Sequence, residues 1–201
     1  MAINDEITYT FQVTKPSLVW CVVTMEQVTS KYLSTYMSDI TIYYLEMLSP
    51  EVHQQKMLPA DLSVNEAQVK QYQVNRMLYQ LVGESFQWNE KTDWTAGKWR
   101  DYAESESVRT WIAYHQGSIA GYFELQQIDS QTNELAYFGL AGKFIGRGFG
   151  GALLSSAVTQ AWSWAKPQRI IVNTCSLDHP NALANYKARG FSVCETKTVP
   201  A

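Results

Sequence analysis

The sequence contains few cysteines and little excess charge, and both shortages narrow the class of protein. Three cysteines occur in 201 residues, Cys21, Cys175 and Cys194, and no two of them form a CxxC pair. A disulfide-stapled secreted fold is therefore not expected, and the reducing cytoplasm is the predicted compartment. The net charge of −3 gives no electrostatic reason to expect nucleic acid or an anionic membrane as a partner.

Long apolar runs and nucleophile motifs are also missing. The apolar stretch at residues 17–25 is much shorter than the roughly 20 residues that a membrane-spanning helix needs. It has no preceding basic region and no small-residue cleavage site, so we expect no signal peptide. The chain has three histidines and no Gly-x-Ser-x-Gly motif, which argues against a serine or cysteine hydrolase. Histidines and cysteines are not clustered in the sequence, so we expect no metal site.

What remains is the composition of an ordinary globular protein, with 46 % apolar and 17 % charged residues. A chain of 201 residues suffices for one well-packed α/β domain and is short for two. Near the start, residues 18–23 fit a strand and residues 25–37 fit a helix. We divide the chain into an N-terminal extension of unclear structure, residues 1–39, and one domain, residues 40–201.

The hydrophobic periodicity of this domain predicts a mixed sheet. Residues 71–82 place apolar side chains at helical spacing, and residues 115–118 form a turn between two strands. Strands are expected at 40–48, 61–69, 108–114, 119–126, 134–140, 170–175 and 191–199, and helices at 71–82, 95–103, 148–164 and 180–188. Their order predicts an α/β fold with an antiparallel meander, in a mixed, mostly antiparallel twisted sheet with helices on both faces.

A glycine-rich turn joins the strand at 134–140 to the following helix. It reads Gly146-Arg147-Gly148-Phe149-Gly150-Gly151. Glycines let the backbone approach a ligand, and the free N–H groups of a helix start favour phosphate. The turn lacks the Gly-Lys-Ser/Thr of a P-loop and the spacing of the dinucleotide fingerprint. Tight packing of the helix is the alternative explanation.

A second motif makes the pattern more specific. Residues 170–191 read IIVNTCSLDHPNALANYKARGF, with Tyr186 four residues before Gly190-Phe191. Together, the two motifs resemble the GNAT superfamily of acetyl-CoA-dependent N-acetyltransferases. The phosphate turn of that family reads Gln/Arg-x-x-Gly-x-Gly/Ala, and its later helix commonly reads Asn-x-x-Ala-x-x-x-Tyr-x-x-x-Gly-Phe. The match covers residues 134–191, and by element order it extends back to about residue 62.

Two positions depart from the family pattern. Ile145 stands where the family often has Gln or Arg, which leaves Arg147 as the candidate for the missing phosphate contact. His179 stands where Asn is usual, with Asn181 two residues later. The resemblance implies acetyl-CoA as co-substrate and no metal. It implies coenzyme contacts at Phe138, Leu140, Ile145, Gly146, Arg147, Gly148, Phe149, Gly150, Asn173, Thr174, His179, Asn181 and Tyr186.

The expected chemistry needs a base for the amine proton and an acid for the departing thiolate. The resemblance places a catalytic glutamate at Glu134, with Glu124 on the neighbouring strand as the rival. Tyr186 is the expected acid, because a phenol can protonate a thiolate or hold the coenzyme sulfur.

The acceptor side is predicted to be aromatic and acidic. By resemblance, residues 79–99 lie over the acceptor cleft, and Tyr79 and Trp88 are the predicted substrate contacts. Phe86, Trp94 and Trp99 share that segment with Glu84, Glu90 and Asp93. Such a lining suits a cationic amine, although the aromatic rings also fit a core and the carboxylates a solvated surface. We expect a small-molecule primary amine as the acceptor. A peptide amine, a non-catalytic acetyl-CoA-sensing module and assembly as a homodimer stay open.

Overall fold

The computed structural model describes residues 39–86 and 88–200. The strand expected at 18–23 and the helix expected at 25–37 lie outside the described residues. Among the described helices, none is both long and apolar enough to cross a membrane.

Seven strands and four α-helices make up the described domain. The strands are β1 Ile40–Met47, β2 Leu62–Glu66, β3 Val108–His115, β4 Ser118–Gln127, β5 Thr132–Leu140, β6 Arg169–Cys175 and β7 Ser192–Val199. The helices are α1 Tyr72–Gly83, α2 Ala96–Ala103, α3 Phe149–Ser163 and α4 Ala182–Ala188. Short 3-10 turns lie at Pro50–Val52, Glu84–Phe86 and Gly142–Phe144. Every element expected between residues 40 and 199 is present, with ends shifted by a few residues.

The strands form one sheet in the order β2-β3-β4-β5-β6-β1-β7. Strands β3, β4 and β5 form the predicted antiparallel meander, and β5 and β6 pair in parallel. Strand β1 lies between β6 and β7 and is antiparallel to both. The position of β1 was not predicted, because the residues of a strand do not by themselves determine which strands it pairs with.

The parallel pair is short, and its two strands separate. Pairing between β5 and β6 is confined to Thr132–Glu134 against Arg169–Ile171. A β-bulge at Ala136 interrupts the β4–β5 register just past this point, and such bulges bend a strand. The backbone of residues 135–140 therefore faces residues 172–175 across a gap instead of a ladder of hydrogen bonds.

Two apolar clusters lie on opposite faces of the sheet. Neighbouring strand residues point to opposite faces, and Trp111 belongs to the cluster that contains α3, whereas Ile112 packs with Leu78 and Val82 of α1. This arrangement confirms helices on both faces. The buried Asn133 amide donates to the carbonyls of Ala161 and Trp164 and so fixes the end of α3 beside β5.

Candidate functional site

A cavity of about 1130 Å³ lies at the gap between β5 and β6. Its lining includes both Tyr137 and Phe138, neighbours on β5 whose side chains point to opposite faces of the sheet. The cavity therefore passes through the gap. We name its two ends by their lining. The turn side is lined by residues drawn from the segments 145–151 and 177–189, without Arg147 and Phe149. The aromatic side is lined by Trp88, Lys91, Trp94, Tyr102 and Tyr137.

The glycines on the turn side are required by backbone conformation and leave open space. Gly146 and Gly148 have φ of +80° and +81°, and a Cβ at either position meets nothing within 4 Å. Tight packing therefore does not explain these two glycines. Gly148 is the N-cap of α3 and supplies no side-chain hydrogen bond to the first N–H groups. Those donors and the positive end of the helix dipole make this turn suitable for a phosphate.

Two predicted coenzyme contacts on this turn have side chains outside the cavity lining. The Arg147 guanidinium is stacked over the Phe144 ring at 5.2 Å. The Phe149 ring is buried against His115, at 5.2 Å between ring centroids, because the core under the turn needs an apolar side chain there. For Phe149, only the backbone stays available to a ligand at the helix start.

The other predicted coenzyme residues all line the cavity. On β5 and the turn these are Phe138, Leu140, Ile145, Gly146, Gly148 and Gly150, and across the gap they are Asn173, Thr174, His179, Asn181 and Tyr186. The Thr174 hydroxyl donates to Asp178 at 2.6 Å, which fixes the turn after β6. His179 Nδ1 accepts from the Asn181 N–H at 3.1 Å, so these two residues form one local unit.

Glu134 lies at the point where the gap begins. It pairs in register with Gln126, and its Oε1 accepts a hydrogen bond from Asn173 Nδ2 across the gap at 3.3 Å. Burial raises the pKa of Glu134 above its usual value, against the opposing effect of the Asn173 bond. A carboxylate with a raised pKa is a better proton acceptor near neutral pH.

Tyr186 lies on α4, on the turn side of the cavity. Its buried ring packs edge-on against Phe138 and Phe191, at 6.1 and 5.9 Å between centroids. Burial raises the pKa of Tyr186, so its hydroxyl stays protonated and remains a hydrogen-bond donor.

The aromatic side is built from the segment between α1 and α2, together with α2 and β5. Trp88, the predicted substrate contact, lines it together with Trp94, Tyr102 and Tyr137. Tyr79, predicted to contact substrate, is instead buried behind this wall. Its hydroxyl donates to Glu90 Oε2 at 2.9 Å and accepts from the Lys91 N–H at 3.3 Å, so it anchors the segment.

The side chain of Lys91 fills a cage of aromatic rings. Lys91 is 4 % exposed, and its Nζ makes no hydrogen bond among the described residues. The distances from Nζ to the ring centroids are 3.2 Å for Tyr102, 4.2 Å for Tyr137, 4.7 Å for Trp94, 5.2 Å for Trp99 and 6.0 Å for Tyr79. Burial lowers the pKa of Lys91 to about 8, against the opposing charges of Glu124 and Glu90.

Glu124, the rival base, is buried behind the same wall. It accepts hydrogen bonds from Asn75 Nδ2 at 2.7 Å and from the Tyr102 hydroxyl at 2.8 Å. Burial raises the pKa of Glu124, although Lys91 and these two bonds oppose the shift. Glu124 is 1 % exposed and absent from the cavity lining, whereas Glu134 belongs to it.

Several cavity residues had not been predicted from the sequence. They are Lys56, Lys91, Tyr102, Tyr137, Asn185 and Arg189. Lys56 reaches the cavity because β1 lies beside β6, and Lys91 was overlooked because a buried lysine carries no sequence pattern. Of these six residues, only Asn185 could have been suspected from the sequence, because it directly precedes Tyr186 in the second motif. In the described part of the chain, no group of three or more His, Cys, Asp or Glu is arranged to hold a metal.

Comparison with known proteins gives a family match and a set of distant structural relatives. Residues 75–191, more than half of the chain, match the family model of the acetyltransferase (GNAT) family. A GCN5-related N-acetyltransferase from Kribbella flavida is 14 % identical with a TM-score of 0.58, over 83 % of this chain and 60 % of that one. A second, from Sphaerobacter thermophilus, is 13 % identical with a TM-score of 0.61, over 86 % of this chain and 55 % of that one.

A tandem GNAT protein from the clavulanic acid biosynthesis pathway is 14 % identical with a TM-score of 0.56, over 92 % of this chain and 61 % of that one. At sequence identities of 13–14 %, these three structures show a shared fold and no more. The chain thus spans 55–61 % of the length of these three proteins. No curated protein is significantly similar to the chain in sequence.

Proposed function

Since this chain belongs to the acetyltransferase (GNAT) family, we propose that it transfers an acetyl group from acetyl-CoA to the primary amine of a small molecule. The observation that carries this proposal is the cavity itself. It connects a glycine turn at a helix start to an aromatic wall through the gap between β5 and β6. Two substrates entering from opposite faces of the sheet would meet at Glu134.

The turn side fits the coenzyme. A phosphate needs donors and space, and Gly146 and Gly148 leave both at the start of α3. The pantetheine arm carries amides, and the strand edges that face the gap, at residues 135–140 and 172–175, offer backbone groups as partners for them. We therefore assign the coenzyme to the turn side, with its thioester end at the gap.

When bound, acetyl-CoA supplies the activated acetyl group, and the chain supplies the proton transfers. Glu134 takes the proton of the acceptor amine, directly or through one water, because it lies in the cavity at the start of the gap. As the amine nitrogen takes the acetyl group, the C–S bond of the thioester breaks, and the Tyr186 hydroxyl is the proposed donor of a proton to the departing thiolate. Asn173 holds the Glu134 carboxylate in position by its bond across the gap.

The aromatic side is proposed to bind the acceptor. Because the Lys91 ammonium fills the ring cage, we assign the ammonium group of the acceptor to the Trp88 ring and the Glu90 carboxylate, which line the same side of the cavity. We propose residues 40–201 as the catalytic domain and the cytoplasm as its compartment.

A thiol-release assay over a panel of amines tests this function. Steady release of free CoA that requires both acetyl-CoA and a particular amine, with the N-acetyl product identified by mass spectrometry, is the expected result. Peptides with a free lysine or N-terminus form a second arm, and preference for them would replace the small-molecule acceptor. Tight binding of acetyl-CoA without turnover on any amine would favour a sensing module instead.

A further inference from the structure

A lysine from outside the family-matching region lies at the glycine turn. Lys56 follows β1 in the chain, before the region 75–191 that the family model covers. Its Nζ donates to the Gly148 carbonyl at 3.4 Å, and it belongs to the cavity lining. It reaches this place because β1 pairs with β6, which brings the segment after β1 past the start of α3.

The position of Lys56 is held at three points along its length. Its backbone N–H donates to the hydroxyl of the buried Ser155, on α3, at 2.8 Å. Its stem crosses α3 at Gly151, where an added Cβ would lie 3.2 Å from Lys56 Cδ. Its tip ends at the carbonyl of Gly148. A side chain at 151 would press on this stem, and glycine leaves room for it.

The Lys56 ammonium has one long hydrogen bond, to the Gly148 carbonyl at 3.4 Å, and lies exposed beside a helix start that favours an anion. The start of a helix carries a partial positive charge, and a lysine there is repelled. A phosphate at the turn reverses the sign of that interaction and gives the ammonium a charged partner. Close by, Arg189 also lines the cavity, and its buried Nε makes no hydrogen bond among the described residues.

We propose that Lys56 binds a phosphate of the coenzyme and replaces the basic or amide side chain that the family places at the position of Ile145. The inference rests on the proposed function, since it concerns the same coenzyme. Arg147, the sequence-based candidate for that role, is turned onto Phe144 and lies outside the cavity lining. The segment after β1 is thus part of the coenzyme site of this chain.

Calorimetric titration with acetyl-CoA and with its 3′-dephospho analogue tests the proposal. Lys56→Met keeps the stem and removes the charge, and we expect about 10- to 100-fold weaker binding of acetyl-CoA, the range for a hydrogen bond to a charged group. Lys56→Arg should recover most of the loss. If the analogue is weakened as well, Lys56 contacts the pyrophosphate; if the analogue is unaffected, Lys56 contacts the 3′-phosphate.

Two further variants make the result decisive. Lys187→Met removes one positive charge from an exposed position on α4 and controls for a general effect of net charge. Arg147→Met tests the rival residue. Unchanged affinity in Lys56→Met, or a loss that appears in Arg147→Met instead, would overturn the inference and leave the proposed function standing. Failure of the wild-type protein to bind acetyl-CoA would reject the proposed function itself.

Discussion

The turn side of the cavity presents backbone to its ligand, whereas the aromatic side presents side chains. On the turn side, Gly146 and Gly148 adopt positive φ with open space around them. On the aromatic side, rings from α1, α2 and β5 enclose the Lys91 ammonium. The turn side therefore depends on a short local pattern of glycines, whereas the aromatic side depends on tertiary packing.

The two sides therefore differ in what a substitution does. A change at the turn glycines is expected to act on coenzyme affinity with little effect elsewhere, because Gly146 and Gly148 are exposed and have open space around them. A change on the aromatic side is expected to act on acceptor affinity and on stability together, because the same rings form the wall and part of the core. The predictions below test this separation, beginning at the gap where the sides meet.

The largest effect is expected for Glu134→Gln. Glutamine keeps the acceptor oxygen for Asn173 and removes the base, so kcat should fall by about 10²–10⁴-fold with acetyl-CoA affinity unchanged. Because burial raises the pKa of Glu134, the acid limb of the wild-type pH–rate profile should lie above the usual glutamate range and vanish in the variant. Glu195→Gln, on the exposed β7, is the matched control. Full activity in Glu134→Gln would move the base to Glu124 or to water.

A smaller loss, about 10²-fold in kcat, is expected for Tyr186→Phe. The ring contacts with Phe138 and Phe191 survive this change, so the Michaelis constant for acetyl-CoA and the melting temperature should stay close to wild type. Tyr122→Phe removes another buried hydroxyl, outside the cavity lining, and serves as control. Normal turnover with an early melt in Tyr186→Phe would show that the hydroxyl is structural.

The smallest effect on rate is expected for Lys91→Met, which should raise the Michaelis constant for the acceptor a few-fold. A cation held by rings contributes on the order of 0.5–2 kcal/mol, and its loss loosens the wall without touching the turn side. Steady-state kinetics with acetyl-CoA and acceptor varied separately measure this. An equal change in both Michaelis constants would contradict the separation of the two sides.

The same variant predicts a pH dependence of stability. The pKa of Lys91 is lowered to about 8 in the folded protein from 10.5, so the unfolded chain binds more protons between these pH values. The free energy of unfolding of wild type relative to Lys91→Met should therefore rise from pH 8 to pH 10.5. Denaturant melts at the two ends of this window check the sign. The titratable groups around Lys91 are Glu90 and Glu124, together with Tyr79, Tyr102 and Tyr137, whose rings lie under its Nζ.

The sequence was sufficient where the structure follows local chemistry. The order of strands and helices, the meander and the glycine turn all have local patterns, and the structure has each of them. The resemblance also named Glu134, which lies on β5 where the gap to β6 begins. The comparisons confirm the family and the fold class, whereas the roles assigned to Glu134 and Tyr186 stay predictions.

What the sequence did not reveal depends on partners distant in the chain. Strand β1 is as apolar as any other, and nothing local places it between β6 and β7 or brings Lys56 to α3. Tyr79 was expected to face the substrate, but its hydroxyl is used to hold Glu90 and Lys91. An aromatic-rich segment does not reveal which rings line a cavity and which fill a core.

Titration of acetyl-CoA into wild type, Gly148→Trp and Gly117→Trp tests the central claim most directly, that the glycine turn holds the coenzyme. Both glycines have positive φ, +81° and +80°, and open space around them, so the backbone cost of tryptophan is matched. Gly117 lies in the hairpin between β3 and β4, outside the cavity lining. We expect saturable binding to wild type and to Gly117→Trp, and none to Gly148→Trp, whose indole would occupy the place of the phosphate. Unchanged affinity in a folded Gly148→Trp protein would contradict the claim.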